Sequence, residues 1–258
     1  MEDKLSVTFF LWDWFVLGKV LPHTNSTLLF SERILLGILR ITSMNVLFYA
    51  LGFLGIWKIP QPLRKPGDTI RELACTIIGL TLVSGLILVF AFWMTGHGWM
   101  KVYLDRDLYP FWYYVVSFPL AIFSLDTFFY FMHRLLHRGW AYDHIHHVHH
   151  RSIHTGPLSG TSFHPLEFLT FYSFPYVLAL FLPLHIDVLN VISWMTFFFV
   201  TLSHSGMDPL PESFRLHRIL SLWNSPTHHH LHHHIGKGNY SLFFNLWDRI
   251  LKTNNPWK

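Results

Sequence analysis

Three long apolar runs, at about 34–57, 73–95 and 111–132, the first of them containing Arg40, decide most of what this 258-residue chain can become. Each has roughly the 20 residues that an α-helix needs to cross a hydrocarbon core about 30 Å thick. Inside lipid the backbone must satisfy its own hydrogen bonds, so such runs become helices. A fourth apolar stretch, about 167–203, is too long for one crossing and is broken near its middle by Pro183, His185 and Asp187. It reads as a tight hairpin of two short arms. Residues 5–21 are aromatic and mildly amphipathic, which fits a helix lying at the membrane interface. Charge usage agrees, because only 13% of residues are charged, against about 25% in average soluble domains.

The loops set an orientation. Residues 58–72 carry Lys58, Arg64, Lys65 and Arg71, whereas 96–110 carry Lys101 and Arg106 against Asp105 and Asp107. The positive-inside rule places 58–72 in the cytoplasm and 96–110 outside. The third span then returns the chain to the cytoplasm just before His133, and the hairpin brings His204 back to the same side. The expectation is an all-α integral membrane bundle of about four to five spans or hairpin arms, forming a single domain over 1–258. A cytoplasmic-side, histidine-rich helical dimetal region caps it. The formal charge of +4 is spread among apolar residues, so no nucleic-acid face is expected. Cys75 is the single cysteine and excludes an internal disulfide.

The 20 histidines are not spread evenly: eight lie within 133–154 and six within 228–234. His133 and His137 stand four apart, so on a helix they point the same way. His146, His149 and His150 occupy i, i+3 and i+4, and His229, His232 and His233 repeat that register. His204 adds one more imidazole from the same predicted side. Leaving a buried polar group unpartnered costs about 1–3 kcal/mol, and nine together would consume most of a typical stability of about 5–15 kcal/mol. Protonation makes matters worse through repulsion. Divalent metals resolve the conflict, since neutral imidazole offers its lone pair directly. Nine ligands exceed the coordination of one ion, so two ions are expected. His144, His147, His230 and His234 fall off the register and are either supporting donors or surface residues. His23, His97 and His185 read as isolated, satisfied polar side chains.

With these residues in view, the chain resembles the sterol desaturase and fatty acid hydroxylase superfamily of membrane non-haem diiron enzymes. The likeness runs from about Ser124 to Thr253. Asp126, Tyr130 and HRLLH (133–137) are similar to the first histidine box; HIHHVHH (144–150) leads on to HPLE (164–167), HSG (204–206), HHHLHH (228–233), GNY (238–240) and WDR (247–249). The resemblance implies that His133, His137, His146, His149, His150, His204, His229, His232 and His233 hold two irons, with zinc as a substitute in purified protein. It implies that His228 either binds or supports. Two positions depart from the family pattern: Ser241 replaces the glycine after Asn-Tyr, and Lys252-Thr253 replaces a closing Gly-Thr. They bear on the conformation of the C-terminal loop.

Asp126 lies seven residues before His133, two helical turns up the same face. It is either an acceptor for the outer N–H of a ligand imidazole or a hydrogen-bonded buried acid near a helix end. Glu167 and Asn239 are candidates for the same supporting role.

All-imidazole sites suit iron, zinc and copper alike, so iron rests on the resemblance. That resemblance implies O₂-dependent hydroxylation or desaturation of a fatty acyl chain or sterol, with the metals and their ligands as the catalytic machinery. Phe128, Phe129, Phe163 and Phe171 either line a substrate slot or pack helices. Electrons are expected from cytochrome b5 or a ferredoxin-type donor, because no flavin or nicotinamide fingerprint appears. The expected location is the bacterial inner membrane or the endoplasmic reticulum. Two competing readings are a membrane hydrolase that activates water on two metals and a metal-binding or transport protein without redox chemistry.

Overall fold

A computed structural model describes residues 66–211, 213–214 and 217–255, with a few single positions between 43 and 51. Apart from those positions, the apolar run at about 34–57 and the expected interfacial helix at 5–21 lie outside the described residues. Helices α1 (Pro66–Ile78) and α2 (Ser84–Gly96) continue into one another through five residues of π-helix, Gly79–Val83. Gly79 sits at that join because a Cβ there would come within 2.5 Å of the Phe168 ring. Helix α3 (Phe111–Leu136) follows. After it come α4 (Gly139–Ala141), a π-turn (Tyr142–His146) and α5 (His147–His150). The hairpin consists of α6 (Pro165–Phe181) and α7 (Ile186–His204), and the chain closes with α8 (Pro226–Ile235) and α9 (Leu246–Ile250).

Among the described residues, three helices are long and apolar enough to cross a membrane: Gly67–Gly96, Phe111–Leu136 and Ile186–His204. Pro165–Phe181 is apolar but shorter. Their outward residues, among them Leu82, Leu86, Phe90, Phe111 and Trp112, are large, apolar and exposed. Water would penalise such a surface and lipid does not. The third span runs four residues past the expected limit of 132, so His133 lies in its last turn rather than beyond its end.

The expected break between the two arms falls at Leu182–His185. It also supplies a departure from an all-helical chain: β1 (Val102–Tyr103) pairs in parallel with β2 (Leu184–His185). The pairing arises because the 96–110 loop and the hairpin turn meet at one end of the bundle. There Lys101 N donates to Ala179 O at 2.7 Å, Leu184 N donates to Lys101 O at 3.0 Å, and Arg106 pairs with Asp187. His185 caps α7, its ring accepting from Asp187 N at 3.1 Å, and its other nitrogen meets Leu104 O at 3.0 Å. It is the satisfied polar residue that its isolation suggested. The opposite ends of α3 and α7 carry His133 and His204. The core between these ends includes Ala121, Leu125, Phe129, Phe171, Val188, Ile192 and Phe243.

Candidate metal centre

The short helix α8 is fixed at both ends, and this sets the direction of its histidines. Ser225 caps it by accepting from His228 N at 3.2 Å, and Pro226 opens it. Asp208 accepts from Thr227 N at 3.2 Å and from the Thr227 hydroxyl. Gly236, at φ 70°, ends the helix, its N–H donating to His232 O at 2.7 Å. His229, His232 and His233 are buried on one face, while His234 points out. The first knot behaves alike: His146, His149 and His150 are buried, while His144 and His147 are exposed. His230 is buried outside the cluster, meeting Thr155 Oγ1 at 3.3 Å.

The nine imidazoles singled out by spacing come together as two groups. His133, His137, His146, His150 and His232 form one; His149, His204, His229 and His233 form the other, with candidate donor atoms within 4.8 Å of one another in each. Only His137 among the nine retains appreciable exposure. Each group draws on several distant segments, so packing of α3, α5, α7 and α8 creates both.

Ring orientation is the more telling observation. His133 Nδ1 donates to Tyr240 O at 2.8 Å, His232 Nδ1 to Gly238 O at 2.6 Å, His149 Nδ1 to Ser162 O at 3.3 Å, and His204 Nδ1 to Val200 O at 2.7 Å. His146 Nδ1 meets Glu167 Oε1 at 2.7 Å. Carbonyl oxygens only accept, so the proton of each carbonyl-bound ring sits on Nδ1 and Nε2 presents a bare lone pair. Yet the Nε2 atoms face one another: His204 to His149 at 3.2 Å, His204 to His233 and to His229 at 3.0 Å, His137 to His146 at 2.9 Å and to His232 at 3.1 Å. Lone pairs so disposed repel unless a cation lies between them. Two nitrogens each about 2.1 Å from one ion, at right angles, stand about 3.0 Å apart. The residues therefore fit a pair of imidazole-bound ions.

The electrostatics agree. Burial, foremost, and then the neighbouring imidazoles hold His146, His150, His229, His232 and His233 well below the usual histidine pKa. His149 is lowered in the same way, and His137 falls to about 2 through burial and the neighbouring His232. These rings stay neutral and keep their lone pairs.

The supporting candidates separate. Glu167, fully buried, does reach an imidazole, that of His146. Asp126 does not, which corrects the expectation: its Oδ1 accepts from Phe243 N at 2.7 Å. It holds the C-terminal loop instead, through the backbone of Phe243 and Phe244. Asn239, at φ 55°, ties that loop internally, donating to His228 O and Asn255 O and accepting from Asn255 N. His228 stands outside both groups, its Nε2 meeting Asn254 Oδ1 at 2.8 Å. Asp248 is a residue that spacing did not single out. It accepts from Tyr240 N at 3.0 Å, Ser241 N at 2.9 Å and the Thr253 hydroxyl at 2.7 Å. Asp126 and Asp248 thus anchor the loop whose carbonyls at Gly238 and Tyr240 orient His232 and His133. Lys252, which stands in place of the closing glycine, adopts φ 56°, in the left-handed region that favours glycine.

A cavity of about 10 Å³ lies against both groups, lined by Phe129, Phe163, Phe171, Val200 and Leu242 together with Glu167 and several of the histidines. Phe163 stacks on His149 with centroids 4.5 Å apart, and Phe129 meets the His133 ring edge-on at 5.2 Å. Phe128 instead stacks on Phe174, as helix packing.

A family model described as fatty acid hydroxylase matches residues 118–253. The chain belongs to that family. C-4 methylsterol oxidase of Schizosaccharomyces pombe is 35% identical over 147 residues, covering 54% of this chain and 47% of that protein. Human lathosterol oxidase is 30% identical over 202 residues, 76% of this chain and 63% of its own length. Methylsterol monooxygenase 1 of Rattus norvegicus is 31% identical over 181 residues, 69% and 57% respectively. The chain thus spans about half to two thirds of these relatives. No solved structure matches.

Glu167 yields a direct prediction. Glu167→Ala removes the acceptor for His146 Nδ1–H and should weaken metal retention by roughly 10–100-fold. Glu167→Gln keeps an acceptor oxygen and should fall between wild type and Ala. Chelator competition followed by metal analysis checks the order.

Proposed function

We propose that the protein is an O₂-dependent diiron lipid oxidase that hydroxylates or desaturates a C–H bond of a fatty acyl chain or sterol. The observation that carries this reading is the set of Nε2 lone pairs turned inward beside an apolar cavity, with their Nδ1 protons held by the surrounding backbone. His133, His137, His146, His150 and His232 hold one ion, and His149, His204, His229 and His233 the other. Iron bound there supplies the oxidising power toward an unactivated C–H bond, with O₂ as co-substrate.

The protein's own part is positional. Gly238, Tyr240, Ser162 and Val200 carbonyls and the Glu167 carboxylate fix the rings, so no reorganisation is needed once the ions are in place. Phe129, Phe163, Phe171, Val200 and Leu242 exclude water from the space beside them. That space is about 10 Å³, room for about one water, so a lipid enters only as these side chains swing aside. The histidine end lies on the cytoplasmic side of a bacterial inner membrane or the endoplasmic reticulum, and the reductant is a cytochrome b5 or ferredoxin-type protein.

Lipid profiling of cells with the intact protein, against cells carrying His149→Ala, tests the reading. A lipid that gains one oxygen or loses two hydrogens only with intact protein, and only in air, is the expected result. Turnover that persists without O₂ would instead mark a hydrolase.

A further inference from the structure

We infer that the basic cleft behind His137 is the docking site of an acidic one-electron carrier protein and that the His137 ring is the edge where electrons enter. The inference rests on the diiron reading above. The cleft has a volume of about 590 Å³, and Arg134, Arg138, Lys237 and Lys252 stand around it, with His137 and Tyr240 also in its wall. Among the described residues none of these four cations is in an ion pair with a carboxylate. Asp248 nearby is buried, its oxygens taken by Tyr240 N, Ser241 N and Thr253. Among the described residues the cleft is therefore a concentration of positive charge without a paired carboxylate.

Its position gives that charge a use. Eight of the nine clustered imidazoles are buried, and His137, the exception, is the one that lines this cleft. From the cleft wall, His137 Nε2 stands 2.9 Å from His146 Nε2 and 3.1 Å from His232 Nε2. One ring thus touches both the cleft and the first metal group. On the diiron reading, the ions need reducing equivalents from a redox carrier. A positive rim steers an acidic partner and accelerates its encounter. Two successive encounters balance the chemistry: each donor is oxidised by one electron, two ferric ions become ferrous, and no bond is made or broken.

The test uses the full chain, iron-loaded, in nanodiscs. The probes are the acidic haem domain of a cytochrome b5 and, in a second arm, an acidic [2Fe–2S] ferredoxin. Binding is read by surface plasmon resonance and electron transfer by anaerobic reoxidation of the pre-reduced donor. In the triple variant Arg138→Glu/Lys237→Glu/Lys252→Glu, Kd for at least one donor should rise at least tenfold and lose its salt dependence, with reoxidation slowed in parallel. Dithionite should reduce this variant as it does wild type, at equal iron content. Should the triple variant lose iron, Lys237→Glu alone, on an exposed side chain, should raise Kd in the same direction. Binding of both donors that ignores charge reversal and salt overturns the docking site alone. So does a cleft that takes up inorganic phosphate without any effect on the donors. A wild-type protein that dithionite cannot reduce overturns the diiron reading, and this inference with it.

Discussion

His149→Ala and His232→Ala should each abolish lipid oxidation, and they should differ in the metal they retain. His149 belongs to the group of four imidazoles and His232 to the group of five. Removing His149 leaves three donors with solvent in the fourth position, so its ion should be the more easily stripped and bound metal should fall toward half under chelator. Removing His232 leaves four, so its ion should be weakened rather than lost, and should leave during dialysis against chelator. Each substitution also strands an acceptor. His232→Ala frees Gly238 O and His149→Ala frees Ser162 O, at about 1–3 kcal/mol for a buried group left unpartnered. Activity should vanish in both if, as proposed, the two-electron chemistry needs both ions. His144→Ala, on an exposed ring that stacks on Trp140, should leave metal and activity unchanged. Metal content per chain, measured beside product formation, checks all three. Full activity in either of the first two removes that residue from the ligand set.

The imidazoles were legible in the sequence because helical periodicity is a local property. Four-residue and three-residue spacings say which rings share a face, and the buried faces of α5 and α8 follow that rule. The hairpin was legible for a similar reason: Pro183, His185 and Asp187 interrupt an apolar run that nothing else breaks. What orients the rings was not legible. Four of the five Nδ1 partners are main-chain carbonyls, and a carbonyl has no residue type to recognise. Asp126 illustrates the same limit. Seven-residue spacing placed it above His133 on the helix, but its partner is the backbone of Phe243, 117 residues onward, and no local pattern announces that. Asp248 was visible only as part of a short motif; its role emerges when the loop folds back on it. Glu167 was named only as a candidate for a supporting role; its contact with His146 Nδ1 at 2.7 Å, from the first turn of α6, appears once the chain is folded. The helix of the third apolar run continues to Leu136, four residues beyond the run itself, and this keeps His133 in the helical register that its spacing from His137 suggested.

Acidification should dismantle the site, and the direction follows from the rings being held neutral. His137, His146, His149, His150, His229, His232 and His233 all have folded-state pKa values depressed by burial and by one another. In the unfolded chain each returns to about 6.5. Above that pH neither state binds the protons, and the fold keeps its full stability. Below it the unfolded chain takes up protons that the folded core excludes, so stability falls as pH falls. Each group contributes up to about 1.4 kcal/mol per pH unit once it is fully protonated in the unfolded state, and all seven act with the same sign. Metal-free protein should therefore lose stability steadily as pH falls below about 6.5. Bound ions compete with protons for the same Nε2 lone pairs, so metal-loaded protein should survive to lower pH and then lose metal and structure together. Circular dichroism and metal content followed from neutral to acidic pH, with and without added ferrous iron, measure both transitions. Curves that coincide with and without iron, or a metal-free protein indifferent to acid, would mean that the nine rings do not form the closed, neutral donor set described here.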